Sequence, residues 1–206
     1  MKIMNLTGSS TVYTSNVYLV TGTWNRLEDV NTLVDVGRDL SILELIFEIN
    51  TGVGKKKVEQ VVLTHSHYDH AGLLPGVSEV FSPEVRAGSS SLQGVDVVLK
   101  DGDSVKMGDR DFEVIHAPGH SSDSMCFYCQ EEGVLFSGDA PVIIRSSAGS
   151  YEEGFLRAME KLCRRDVRKI YFGHGAPMAD GCNEALRNSL KNIRAGMAEM
   201  EKADGH

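Results

Sequence analysis

From Val95 to Asp139 the chain breaks into short apolar runs, "VDVVLKDGDSVKMGDRDFEVIHAPGH", "SMCFYC" and "GVLFSGD", separated by Asp-Gly, Gly-Asp and Glu-Gly pairs. Gly and Asp at such junctions supply tight turns, so runs this short read as strands folded back on one another. "SEVFSP" reads as one more short strand, and "HAGLLPG" before it as a helical turn stopped by Pro75-Gly76. Ahead of this block, "NVYLVTG", "NTLVDVG" and "EQVVLTH" are Val- and Leu-rich strands, whereas "SILELIFEIN" places Ile42, Leu45, Ile46 and Ile49 on one helical face. After it, Ser150 and Glu153 have capping-box spacing before a helix over "FLRAMEKLC". "VRKIYFGHG" reads as a final strand, and Cys182 to about Lys202 as a closing helix. This order predicts sheets with helices packed on their outer faces. No Pro/Ser-rich linker or repeat interrupts it, so residues 1–206 are expected to form one domain.

Charge and composition exclude some partners. Lys plus Arg number 21 against 29 Asp plus Glu, a net charge of -8. That balance argues against nucleic acid, whose phosphates need clustered cations. Lys55 to Lys57 and "CRRDVRK" read as solvated faces. No run approaches the roughly 18 apolar residues of a membrane span, and the N-terminal stretch lacks the apolar core of a signal peptide. A soluble cytoplasmic protein acting on a small molecule, with no membrane partner and with a homodimer open, is the expectation. Four cysteines do not suggest a disulfide framework. Cys126 and Cys129 are three apart on a strand and point to opposite faces, a poor arrangement for a shared metal.

The chemistry begins at "THSHYDH", where His65, His67, Asp69 and His70 fall within six positions directly after a strand. A strand ending at Thr64, a tight loop and a helix starting near His70 would fan all four toward one cavity. Four donors so close in sequence struggle to surround one ion tetrahedrally, so two neighbouring ions are the more natural geometry. His120 in "HAPGHSSD", Asp139 in "LFSGDAP" and His174 in "YFGHGAP" each end a predicted strand beside Gly. Five histidines and two aspartates suit zinc, and also iron or manganese; without Cys in the set, a closed structural zinc site is disfavoured. His116 reads as a satisfied strand histidine and His206 as a solvated terminus.

These motifs resemble the metallo-β-lactamase-fold hydrolases: "THSHYDH" matches H-x-H-x-D-H, His120, Asp139 and His174 occupy the later motif positions, and "LVDVG" resembles the first short motif. The resemblance runs from about Asn16 to Gly175. It implies an α/β fold, a four-layer αβ/βα sandwich. It implies that His65, His67 and His120 bind one divalent metal, that Asp69, His70 and His174 bind a second, and that Asp139 bridges them. Asp35 would brace the metal loops. The implied enzyme is a dinuclear hydrolase whose metal-bridging hydroxide attacks an ester, thioester or related bond, with Asp69 orienting that hydroxide and passing on its proton. Tyr68, between ligands, and Arg145, after the bridging aspartate, are candidate substrate-binding residues.

Departures from family patterns narrow the reaction. True β-lactamases of the fold have Cys or Ser where Asp139 stands. Glyoxalase-II-type thioesterases share all seven ligands but carry a longer C-terminal helical region than the 32 residues that follow His174 here. Lactonases have a tyrosine shortly after the bridging aspartate, where this chain has Ala140, Pro141 and Val142. The alternatives are a mononuclear-iron oxidoreductase resembling persulfide dioxygenases, and a metal-binding protein without catalysis. Loops at about 22–30 and 141–150 are expected to shape the pocket.

Overall fold

A computed structural model describes residues 1–204; His206 lies outside the described residues. Two sheets lie between helices. The first holds β1 (Lys2–Asn5), β2 (Tyr18–Thr21), β3 (Thr32–Val34), β4 (Gln60–Val62), β5 (Glu84–Ala87) and β6 (Val97–Val98) in chain order. Its first three strands are antiparallel, and those from β3 to β6 are parallel. The second holds β7 (Ser104–Met107), β8 (Arg110–His116), β9 (Met125–Cys129), β10 (Val134–Gly138) and β11 (Lys169–Phe172). Its spatial order is β11-β10-β9-β8-β7, parallel only between β10 and β11.

Strand alternation sorts the apolar residues into three layers. Tyr18, Val20, Val34, Val62, Val114, Phe127 and Phe136 fill the space between the sheets. Their neighbours Leu19, Leu33 and Val61 turn outward onto α1 (Ser41–Glu48) and α3 (Leu74–Phe81). On the other side Ile115, Cys126, Tyr128 and Leu135 pack against α4 (Glu153–Leu162) and α5 (Cys182–Asp204). A sheet buried on both faces explains why its strands read as continuous apolar runs. The result is the expected four-layer αβ/βα sandwich. Cys126 and Cys129 fall in different cores, on opposite faces of β9.

Four local expectations are corrected. Pro75 does not stop a helix; it sits in the first turn of α3, where its missing N–H has no partner to lose. "SEVF" of "SEVFSP" is therefore the last turn of α3, not a strand; Val77 and Phe81 are buried at i, i+4, and the chain leaves through Ser82 in a left-handed conformation. The Ser150–Glu153 capping box does not form. α4 is entered through Glu152 without a side-chain cap, and Glu153 instead pairs with Arg157 one turn on. The stretch 22–30 joins the C-terminal end of β2 to β3, and Val30 bridges Gly108 in the turn between β7 and β8. It thus lies at the edge opposite to the one where Asp35 follows β3 and His120 follows β8.

Candidate metal centre

The chain segments that follow the C-terminal ends of β3, β4, β8, β10 and β11 converge on one edge of the sandwich and carry Asp35, the His65–His70 loop, His120, Asp139 and His174. Backbone hydrogen bonds join them: Met125 N donates to Thr64 O at 2.7 Å across the sheets, and Gly173 N to Gly138 O at 2.8 Å. α2 (Tyr68–Ala71) starts inside the loop, and its single turn separates Asp69 from His67.

All seven donors expected from the sequence meet here, in two groups. His65, His67 and His120 form one; Asp69, His70, Asp139 and His174 form the other; within each, the donor atoms lie within 4.8 Å of one another. In the first, imidazole centroids are 4.6 to 4.8 Å apart, and His120 Nε2 lies 2.9 Å from His67 Nδ1. In the second, Asp69 Oδ2 is 3.1 Å from His174 Nε2. Asp139 Oδ2 stands between the groups, 3.4 Å from His70 Nε2, 3.5 Å from His174 Nε2 and 3.7 Å from His120 Nε2.

The donor chemistry fits cations. Among the described residues His65 Nε2 and His70 Nε2 are buried without a hydrogen-bond partner, a costly state for a polar atom unless something else satisfies it. The other ring nitrogen of His70 is held by Asp35, Nδ1 to Oδ2 at 2.8 Å. Such a carboxylate behind an imidazole fixes the tautomer and turns the free nitrogen inward. Burial disfavours the charged form of His70, but Asp35 and Asp139 outweigh it and push the ring up to about 10. Burial, with the nearby charge of His70, pushes His65 down to about 4. His65 and His70 are buried while His67 and His120 are exposed, so the centre opens to solvent on one side.

The two candidate substrate residues line clefts that none of the seven donors lines. Tyr68 is exposed, with its ring over Gly72 and the Arg38 guanidinium 5.7 Å from its centroid. With Ser66, Leu74, Pro75 and Leu92 it lines a cleft of about 260 Å³. Extended backbone at His67 turns the residues on either side of it the other way. Arg145 is exposed and lines a cleft of about 470 Å³ against α5, with Met178, Asn188 and Lys191. His116 Nε2 donates to the Ser122 carbonyl, outside both donor groups. Tyr13 escaped the sequence reading. Its ring stacks on His174, centroids 5.5 Å apart and planes inclined by 18°. The only signal for it was a lone aromatic in the polar run "GSSTVYTSN".

Residues 10–174 match the family model for the metallo-beta-lactamase superfamily. An atrochrysone carboxyl ACP thioesterase of Cryptosporiopsis sp. is 28% identical over 84% of this chain and 52% of its own length. A probable hydroxyacylglutathione hydrolase of Schizosaccharomyces pombe is 29% identical over 64% of this chain and 51% of its own. The chain thus spans about half the length of these curated relatives. Among solved structures, ETHE1 from Myxococcus xanthus superposes with a TM-score of 0.70 at 18% identity, over 98% of this chain and 90% of that one. At that identity the likeness speaks for the fold.

Proposed function

This chain belongs to the metallo-beta-lactamase superfamily, and from that premise we propose that it is a dinuclear metal-dependent hydrolase of a small-molecule ester or thioester. The observation that carries the reading is the position of Asp139 Oδ2, within 3.7 Å of imidazole nitrogens from both donor groups. A single carboxylate oxygen so placed is suited to be shared by two cations. His65, His67 and His120 would hold one, and Asp69, His70 and His174 the other, with Asp139 between them. Zinc suits the imidazole and carboxylate set, with iron and manganese the competing occupants. The names of the two relatives, a thioesterase and a hydroxyacylglutathione hydrolase, support an acyl substrate.

Bound cations supply an ionised nucleophile at neutral pH and neutralise the charge that grows on the attacked carbonyl. The rest falls to the chain. Asp69 is 21% exposed, beside the open side of the centre. Its carboxylate would take the proton of the attacking water and return it to the departing thiol or alcohol. Asp35 holds His70 from behind through Nδ1, leaving Nε2 directed at the centre. The exposed rims of His67 and His120 leave room for an acyl group to approach without displacing protein.

The test is metal analysis joined to a substrate panel. About two equivalents of zinc by plasma emission, with thioester or ester turnover abolished by a chelator and restored by metal, is the expected result. One iron per chain with oxygen consumption on a persulfide would replace the hydrolase with a dioxygenase. Bound metal without turnover of any ester, thioester, lactone or phosphodiester would leave a binding protein.

A further inference from the structure

The segment before β2 runs across the metal edge and is tied to both donor-bearing loops. Ser15 N donates to Asp69 O at 3.0 Å, and Asn16 N to Gly173 O at 2.6 Å. The Asn16 side chain donates to the carbonyls of Phe172 and Gly175, on either side of His174. Farther out, Ser10 Oγ donates to Asp39, and the Arg38 backbone N–H to Thr14 Oγ1. The strap is therefore pinned at Ser15 and Asn16 to the loops that carry Asp69 and His174, and at Ser10 and Thr14 to the segment that follows β3. Next to Thr14 stands Tyr13, 70% exposed, its ring near-parallel to the His174 imidazole with centroids 5.5 Å apart.

An exposed aromatic ring held this way has a use that a loose one lacks. The residues that follow it, Thr14 to Asn16, are held by hydrogen bonds, so less conformational freedom remains to be lost when a ligand lands on it. One face lies toward His174, and most of the ring is exposed. A flat π-system gains from an offset-stacked contact there beyond the area it buries, whereas a saturated ring of the same skeleton gains the area alone.

Resting on the hydrolase reading for its location, we propose that Tyr13 is a substrate-binding residue that selects a planar, unsaturated acyl group, aryl or conjugated, by stacking it on the face opposite His174. The acyl carbonyl then lies toward Asp139 and Asp69 while the ring system spreads over the strap. The class of compound is an aryl or polyenoyl ester or thioester, and its hydrolysis product is the corresponding flat carboxylate.

Binding of that product can be measured without turnover. The probes are 2-naphthoate and its saturated decahydro counterpart, titrated calorimetrically into the zinc-loaded full chain and its Tyr13→Phe and Tyr13→Ala variants. Wild type and Tyr13→Phe should bind naphthoate more tightly than the saturated acid. Tyr13→Ala should bind naphthoate about 2- to 10-fold more weakly, with the saturated acid affected less and the zinc content equal in all three. Equal weakening for both acids, no weakening, or no naphthoate binding by the wild type would overturn the proposal. So would a fall in zinc content in Tyr13→Ala, which would make the ring a brace for His174. Tyr13-dependent naphthoate binding in a chain that hydrolyses nothing would sink the hydrolase reading and leave this one standing. Turnover without such binding would do the reverse.

Discussion

Asp35 Oδ2 lies 2.8 Å from His70 Nδ1, with both side chains buried. The same carboxylate accepts the Thr64 backbone N–H at 2.7 Å and the Thr64 hydroxyl at 2.8 Å. One aspartate thus holds the end of β4, where the donor loop begins, and the imidazole that closes that loop. Asp35 does so from a left-handed backbone conformation, φ 57°, which Asp and Asn tolerate better than other non-Gly residues.

Asp35→Asn tests this bracing without straining the backbone. The amide can still accept from Thr64, but it cannot offer carboxylate charge to His70. Metal affinity should fall about 10- to 100-fold, the usual cost of losing such a partner, while the circular dichroism spectrum stays native. Competition with a fluorescent chelator measures it, and an unchanged affinity would show that His70 needs no support from behind.

Gly173 and Gly175 flank His174 and should respond in opposite ways. A Cβ at Gly173 would fall 2.1 Å from Asp139 Oδ1 and 2.6 Å from His70 Cε1. Gly173→Ala should therefore push apart the donors of the second group and lower metal stoichiometry. Gly175 has φ 81° with open space around it, so Ala there meets only backbone strain, about 1–2 kcal/mol. Gly175→Ala should lower Tm by a few degrees and leave metal content intact. Equal metal loss in both variants would mean that backbone strain, and not the contact with Asp139, governs the site.

How much of this was legible in the sequence depends on whether the signal was local. His65, His67, Asp69 and His70 were readable because a strand end and one turn of helix suffice to fan them. His120, Asp139 and His174 were readable because each ends an apolar run beside Gly. Pro75 was misread because a proline stops a helix from inside and starts one at its first turn, and the sequence does not say which. The stretch 22–30 was placed at the wrong edge because that assignment depends on β2 and β3 running antiparallel, a pairing between segments. Tyr13 was missed for the same kind of reason: its importance comes from His174, 161 residues away in sequence and 5.5 Å away between ring centroids.

The cysteine pair on β9 should be chemically silent. Cys126 is wholly buried, and burial pushes its thiol up to about 12. Cys129 is buried in the other core, across the sheet. Labelling of the native chain with an aromatic disulfide reagent at pH 8 should spare both, with the part-exposed Cys163 the first to react. All four should react in denaturant. A mapped Cys126–Cys129 disulfide, or rapid labelling of Cys126, would contradict the packing of β9.

The division of the donors into two groups makes the sharpest prediction about the centre. His67 belongs to the trio with His65 and His120, and His174 to the quartet with Asp69, His70 and Asp139. If each group holds one cation, His67→Ala and His174→Ala should each lower metal content from about two equivalents to about one, and turnover should fall in both. Asp139 stands within 3.7 Å of imidazole nitrogens in both groups, so Asp139→Ala should weaken both sites together. Both histidines are part-exposed, and neither fills a core. Folding should survive these substitutions, and near-native Tm in the metal-free forms would verify that. Plasma emission analysis of the three variants separates the possibilities. Unchanged content in His67→Ala would remove the first trio as a site. Loss of all metal in either histidine variant would mean that the seven donors form one cooperative cluster, because each cation then depends on the other for its bridging carboxylate.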